Sequence, residues 1–304
     1  MGILNSNSIA LAERYAPILD EVYKRESVTS VLDTPSDLVL FTGANTAQIY
    51  KTQMDGLGTY DRNNGYVKGS VNGSWEDLVL EYDRGRQLMV DAMDNEETLD
   101  MAFGTLAGEF VRLHEVPEVD AYTFAKIAGT SGIGAATPAD LSSVTDILKA
   151  IDDAQAAMDN AEAPMEGRIL FVSTAAYYAL KDKLTRYLLN DQEDVQRNVQ
   201  MLDSTRVIPV PAGRFNTAIT LNDGVTSGQE AGGFAVGGYP INFMLVHPSA
   251  IIKVMKHRVP RIFSPEVVQE ADAWKFNIRL YGDCFVKDNK VGGIYLHRGA
   301  TANP

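Results

Sequence analysis

One cysteine, Cys284, is all that 304 residues contain. A disulfide framework within the chain and a multi-cysteine zinc site are both excluded, and Cys284 reads as a small core residue. No apolar run approaches the roughly 20 residues that span a bilayer. The N-terminus lacks the basic-then-apolar layout of a secretory signal. Basic charge is also short: 27 Lys and Arg stand against 40 Asp and Glu, for a formal net charge of −13. Such a surface is not built to neutralise phosphates, although it can enclose nucleic acid without gripping it. Met1-Gly2-Ile3-Leu4-Asn5-Ser6 fits a myristoylation pattern, but no basic patch follows to supply a second membrane anchor. Asn72-Gly73-Ser74 is a glycosylation sequon with no signal peptide to give it meaning.

Catalytic chemistry is equally thin. Of His114, His247, His257 and His297, only His247 and His257 are near each other in sequence, and neither has a carboxylate at ligand spacing. Glu96-Glu97 and Asp152-Asp153 are adjacent carboxylates on helical stretches, where neighbouring side chains diverge, so they read as caps or solvated faces. Gly132-Ile133-Gly134-Ala135-Ala136 resembles the opening of a dinucleotide fingerprint. It follows a helix and runs into Thr137-Pro138, which makes a flexible hinge the plainer reading. There is no Gly-Lys-Ser/Thr phosphate loop and no Gly-x-Ser-x-Gly elbow. No catalytic residue, cofactor or metal is assigned, and the chain reads as a non-enzyme.

With 45% apolar and 22% charged residues, the chain has a globular composition and a length suited to roughly two domains. Its most informative stretch is Met54 to Trp75, which carries five glycines, three asparagines and only scattered apolar side chains. The stretch lies between strand-like runs at Ala47–Thr52 and Leu78–Tyr82 and cannot build a core of its own. Loops this long are functional or disordered, and the spaced aromatics Tyr60, Tyr66 and Trp75 argue against disorder. A two-stranded arm that leaves its own subunit and finds its core on a neighbour accounts for both.

Around that arm the pattern is mixed. Apolar positions near helical spacing over Ile9–Val31, broken by Pro17, predict an arm with a short helix. Asp94 with Glu97 can cap a long helix. Its stripe of Leu99, Phe103, Leu106, Phe110 and Leu113 is expected to be buried, with Pro117 ending it. A sharp turn into a second helical piece, Tyr122–Ala128, and a hinge at Gly129–Pro138 follow. Ser143 with Asp146 predicts a helix bearing Ile147, Ile151, Ala154 and Met158. A strand at Arg168–Val172 and a helix capped by Ser173 or Thr174, with Tyr177, Leu180, Leu184 and Leu188 inward, come next. Strands at Val207–Val210 and Asn242–Val246 flank a glycine-rich loop, Asn222–Gly238. Unbroken alternation in Trp274–Leu280 predicts a strand with one wet face. Cys284–Val286 and Ile294–Leu296 are expected to pair across a turn at Asp288-Asn289. Lys253, Lys256, His257, Arg258 and Arg261 alternate with apolar residues, which suits a strand edge meeting a carboxylate patch on another subunit better than a nucleic-acid groove.

Three stretches, in this order of elements, carry a family resemblance. Asp83-Arg84-Gly85-Arg86 through Val90–Thr98, Val116-Pro117-Glu118-Val119-Asp120-Ala121-Tyr122, and Asp288-Asn289-Lys290-Val291-Gly292-Gly293-Ile294-Tyr295 resemble three parts of tailed-bacteriophage major capsid proteins, the Hong Kong 97-type fold. These parts are the exit from the extended loop, the close of the spine helix and the terminal strand pair. The resemblance implies an α+β fold with an N-terminal arm (1–36) and an extended β-hairpin loop with flanking strands (37–92). It further implies a peripheral domain with the spine helix (93–135 and 256–304) and an α/β axial domain (136–255). It implies pentamers and hexamers closing an icosahedral shell around double-stranded DNA in a virion assembled in the bacterial host cytoplasm. The expected partners are further copies of the chain, a separate scaffolding protein and a portal protein, with a decoration protein left open and no membrane. Tyr60, Arg62, Tyr66, Lys68, Trp75, Lys253, Lys256, Arg258 and Arg261 are the candidate inter-subunit contacts. The alternatives are an encapsulin-like nanocompartment shell holding a cargo enzyme and an α/β enzyme centred on 136–255.

Overall fold

The computed structural model describes residues 23, 26–35, 39–43, 45–63, 65–93, 101–140, 147–187 and 199–303. The expected caps at Asp94 with Glu97 and at Ser143 with Asp146 lie outside these residues, as do Leu99, Leu188 and most of Ile9–Val31. Among the described residues the strands form three sheets.

The first sheet joins β1 (Leu40–Thr42), β2 (Thr46–Met54) and β3 (Val71–Val79), all antiparallel. Ala47 stands opposite Leu78, and a small cluster of Val39, Ala47, Leu80, Ile252 and Val254 seals the root of this sheet. The chain then crosses into a second sheet, where β4 (Tyr82–Asp91) pairs with β12 (Ala273–Val286), which pairs in turn with β11 (Ile251–Phe263). The alternation in β12 sends Phe276, Ile278 and Leu280 into the core and Arg279 into solvent.

Against this sheet lies one long helical rod. It consists of α1 (Met101–Phe110), a five-residue π turn at Val111–Glu115, and α2 (Val116–Ala128). Pro117 was expected to end the helix; instead it sits just past the π turn, at the start of α2. In a regular α-helix its ring would strike the carbonyl four residues back, and the wider π turn relieves that clash. The inserted residue also shifts the phase of the buried face. Ala107 and Val111 are four apart, Val111 and Val116 five apart, and Val116, Asp120 and Phe124 again four apart, all of them buried. Among the described side chains, the stripe expected from the sequence sits about one position off this buried face. Leu106 and Phe110 are half-buried and Leu113 is 61% exposed.

The third sheet has seven strands on its main path or beside it: β5 (Gly134–Ala135), β6 (Ile169–Ser173), β7 (Met201–Leu202), β8 (Thr205–Val210), β9 (Asn216–Leu221), β10 (Phe234–Val246) and β13 (Ile294–Arg298). One face packs on α2 through Phe124, Ile127, Phe171 and Phe215. The other is covered by α3 (Ile147–Asn160) and α4 (Thr174–Tyr187). The buried residues of α3 are Ile147, Ile151, Ala154 and Met158, as its spacing predicts. Ser173 Oγ accepts the Ala176 amide at 3.3 Å and so caps α4.

One expectation fails here. The terminal strand pair does not form: after β12 a 3-10 turn (Asp288–Gly293) redirects the chain, and β13 joins the third sheet beside β10. Residues 256–304 therefore serve two sheets. Within the glycine-rich stretch 129–138, the short strand β5 pairs in parallel with β13. A Cβ on Gly134 would come within 2.8 Å of the Tyr295 ring, so this close approach requires glycine.

Candidate functional site

The hairpin arm begins where its core ends. Beyond the root cluster, β2 and β3 stay paired to Met54 and Val71, and the bonding then continues through residues that are not strand. The Asp55 amide donates to Ser70 O at 3.1 Å, and the Asp55 carboxylate accepts the Ser70 amide at 2.6 Å and its hydroxyl at 2.8 Å. Those two bonds hold the Asp55 carboxyl below the usual carboxylate range, the amide contributing most. At the tip Asp61 and Gly65 exchange both backbone bonds, with Gly65 at φ +78°, a conformation that favours glycine.

Ring contacts stiffen the ladder. Tyr50 meets Trp75 edge-on at 5.3 Å, and Tyr60 meets Tyr66 at 5.0 Å. A Cβ on Gly73 would fall on the Tyr50 hydroxyl, so the glycine opens the space in which that ring lies. At the root Lys51 Nζ reaches Asp288 at 3.2 Å and Glu76 at 3.7 Å. The hydrogen bond to Asp288 is the main reason its ammonium is held above the usual lysine range.

The arm is thus ordered by its backbone and a few pairs, while its apolar side chains cover nothing. Leu57 is fully exposed, Tyr66 is 89% exposed, and Met54, Val67 and Val71 each stand about two-thirds or more in solvent. Exposed apolar side chains gathered on one ordered arm are the composition that an interaction surface requires. Of the candidate contacts, Tyr60, Arg62, Tyr66, Lys68 and Trp75 all lie exposed on this arm. The composition signalled the arm, but Met54, Leu57, Val67 and Val71 were not singled out from it.

The basic stripe on β11 is divided by the structure. Lys253 is 5% exposed and turned inward, its Nζ 2.7 Å from Asp33 and 3.0 Å from Thr29 Oγ1. Arg258 pairs with the fully buried Glu115 carboxylate and lies over the Tyr23 ring at 4.5 Å. Both charges are paired within the chain, which leaves Lys256 and Arg261 as the more accessible members of the stripe. Lys256 donates to Gly43 O at 2.7 Å at the surface, and Arg261 is exposed. Sequence spacing gave no sign of this split, because partners such as Glu115 and Asp33 lie more than 140 residues away.

Beside the rod lies an apolar groove of about 350 Å³, walled by Leu88, Leu106, Phe110, Leu113 and Ile278. Residues 222–233 close one side, clamped by Arg84 Nη2 on Gly233 O at 3.1 Å and Arg86 Nη2 on Glu230 O at 3.2 Å. Arg84 also pairs with Glu118 at 2.7 Å, so β4, α2 and this loop meet at one guanidinium. No group of His, Cys, Asp and Glu suited to a metal ion is found among the described residues, and no helix among them is long and apolar enough to cross a membrane.

No protein-family model matches the chain, and no curated protein matches it. Solved structures do. A structure of Mycobacterium phage Che8 aligns with a TM-score of 0.62 at 15% identity, over 89% of this chain and 90% of that one. The capsid structure of the cyanophage P-SCSP1u aligns at 0.57 with 13% identity, over 90% and 88%. A virus-like particle from Pyrococcus furiosus aligns at 0.52 with 12% identity, over 92% and 95%. At these identities the likeness is one of fold. The chain has the α+β fold of tailed-phage capsid structures, of the Hong Kong 97 type.

Proposed function

We propose that this chain is the major capsid subunit of a tailed phage or prophage, assembling with copies of itself into a closed shell around double-stranded DNA. The observation that carries the reading is the hairpin arm: ordered, long, and lined by apolar side chains that no part of its own chain covers. A fold shared over about nine-tenths of each chain with phage capsid structures supports it. So does the net charge of −13, which suits a container wall that must not grip its contents. A scaffolding protein and a portal are the partners this role calls for. Lys256 and Arg261 remain the proposed charged contacts on β11, beside the aromatic and charged residues of the arm.

The likeness to a virus-like particle favours one second reading, a nanocompartment shell enclosing a protein cargo. Particle contents separate the two, nucleic acid against a co-purifying enzyme.

Electron microscopy of the purified chain tests assembly itself. Closed shells, tubes or capsomer rings are expected. A second chain, with Gly56–Gly69 replaced by a short turn, should stay folded and soluble and form none of them. An intact chain that remains a monomer, or normal shells from the shortened one, would overturn the proposal.

A further inference from the structure

Strand β3 has β2 on one side only: among the described residues it stands last in its sheet, and no strand pairs with its outer edge. The Asp55 amide donates to Ser70 O at 3.1 Å, and the Leu80 amide to Asn45 O at 2.9 Å, at the two ends of the β2–β3 ladder. These bonds fix its phase, because hydrogen-bonded and non-bonded pairs alternate along an antiparallel ladder. Asn72, Ser74, Glu76 and Leu78 therefore bond to β2. Val71, Gly73, Trp75, Asp77 and Val79 direct their amides and carbonyls outward.

An open edge is a template for another strand, and proteins blunt it with proline, lysine, a bulge or a short length. β3 has none of these. It runs nine residues in unbroken register, without proline or lysine. Its two carboxylates are engaged within the arm, Glu76 by Lys51 at 3.7 Å and Asp77 by the Gln48 side-chain amide. Trp75 and Val71 stand opposite Tyr50 and Met54, so these four side chains share one face of the ribbon, and all four are exposed. The other face packs on the body at its root through Ala47, Ile49 and Leu78.

We propose that the occupant of this edge is β3 of a second copy, paired antiparallel around a two-fold axis at Trp75. Val71 then meets Val79, Gly73 meets Asp77 and Trp75 meets its own copy, so every outward amide and carbonyl finds a partner. Glu76 falls opposite Ser74, and no two carboxylates stand directly opposite each other. A one-residue slip would set outward groups against inward ones. A two-residue slide one way places Glu76 opposite Glu76, which like-charge repulsion disfavours; the other way leaves Val79 without a strand partner. Two sheets of three strands become one of six, with both Tyr50–Trp75 ring pairs on the same side. The inference rests on the reading of the arm as an assembly surface and names what one arm meets.

Disulfide mapping on the full chain tests the register. Cys284 is buried, so a cysteine placed on the arm is the accessible thiol. In this pairing residue 74 of one copy and residue 76 of the other form a non-hydrogen-bonded pair, with Cα atoms about 4.5 Å apart, within disulfide range. When Ser74→Cys and Glu76→Cys chains are mixed in a glutathione buffer, the 74–76 disulfide should exceed the 74–74 and 76–76 products about tenfold. Asp77→Pro in both chains removes an outward amide that β2 does not use; it should leave the melting temperature in place and abolish the crosslink. Asp77→Asn, which keeps that amide, should retain it. A statistical mixture of the three disulfides, or an undiminished 74–76 product with Asp77→Pro, would overturn the pairing. Closed shells that lack the 74–76 disulfide overturn it as well and leave the capsid reading intact. Crosslinked pairs from a chain that forms no shells support the pairing and remove the capsid reading.

Discussion

At the scale of single residues, His297 shows how burial fixes a protonation state. Asn242 Nδ2 donates to Ala139 O at 2.8 Å, which sets the amide orientation, and its other hydrogen points at His297 Nδ1, 3.0 Å away. Nδ1 must therefore accept and stay unprotonated. The ring is 5% exposed and stacks on Phe243, and burial holds its pKa below the ordinary 6.5. Protonating Nδ1 would set two donors face to face. As pH falls below 6.5 the unfolded chain takes up this proton first, so stability declines from there toward the lowered folded value and is flat above. Thermal melting between pH 8 and pH 5 should show that slope, at roughly the pH range in which histidine titrates. His297→Gln, which can still accept from Asn242, should flatten it; an unchanged slope in the variant would mean that another group titrates. The carboxylates held low by hydrogen bonds, Asp140 among them, lose their contribution only at more acid pH, below the ordinary 3.8.

At the scale of elements, the rod of α1, π turn and α2 decides which aromatic side chains form the core under it. Phe276 of β12 is fully buried beneath the rod, whereas Phe110 of α1 is half-buried and touches it edge-on at 6.3 Å. Phe276→Ala should therefore cost about 3–5 kcal/mol in urea unfolding, and Phe110→Ala roughly 1–2 kcal/mol, in proportion to its partial burial. Equal losses would mean that the groove lined by Phe110 is as closed as the core. Leu106, Phe110 and Leu113 wall a groove beside the rod, while the π turn admits Pro117 and carries the buried face from Val111 on to Val116.

For the whole molecule, the question is which charges hold the subunit together and which are available to a neighbour. Arg258 neutralises Glu115, whose side chain is fully buried. Arg258→Glu would place a second carboxylate beside it and should destabilise the isolated subunit by about 3–5 kcal/mol or more, read as a lowered melting temperature. Arg261 is exposed, so Arg261→Glu should leave melting unchanged within error while reducing the yield of closed particles. High salt should produce part of the same loss, because a hydrated contact is screened. A fall in melting temperature with Arg261→Glu, or full particle yield, would remove Arg261 from the assembly surface. Net charge has no bearing on either outcome; the position of each charge decides it.

Several features follow from the order of residues alone. The spacing of Ile147, Ile151, Ala154 and Met158 determines the inner face of α3, and strict alternation determines that of β12, because both periods are local properties of the backbone. The glycine-rich span from Met54 to Trp75 was legible as a long arm for a related reason: a segment without apolar residues to bury against its own chain must either stay disordered or seek a core elsewhere. Tertiary structure alone decided the rest. The π turn moves the buried face by one residue, and nothing in a helical repeat announces an inserted residue. Whether Cys284–Val286 pairs with Ile294–Leu296 depends on competition from β10 and β5 for the second strand, which is settled by registers formed between residues far apart in sequence. The fate of Lys253 and Arg258 depends on carboxylates 220 and 143 residues away. A lysine's reach is written in its own residue, but its partner is chosen only when the chain has folded.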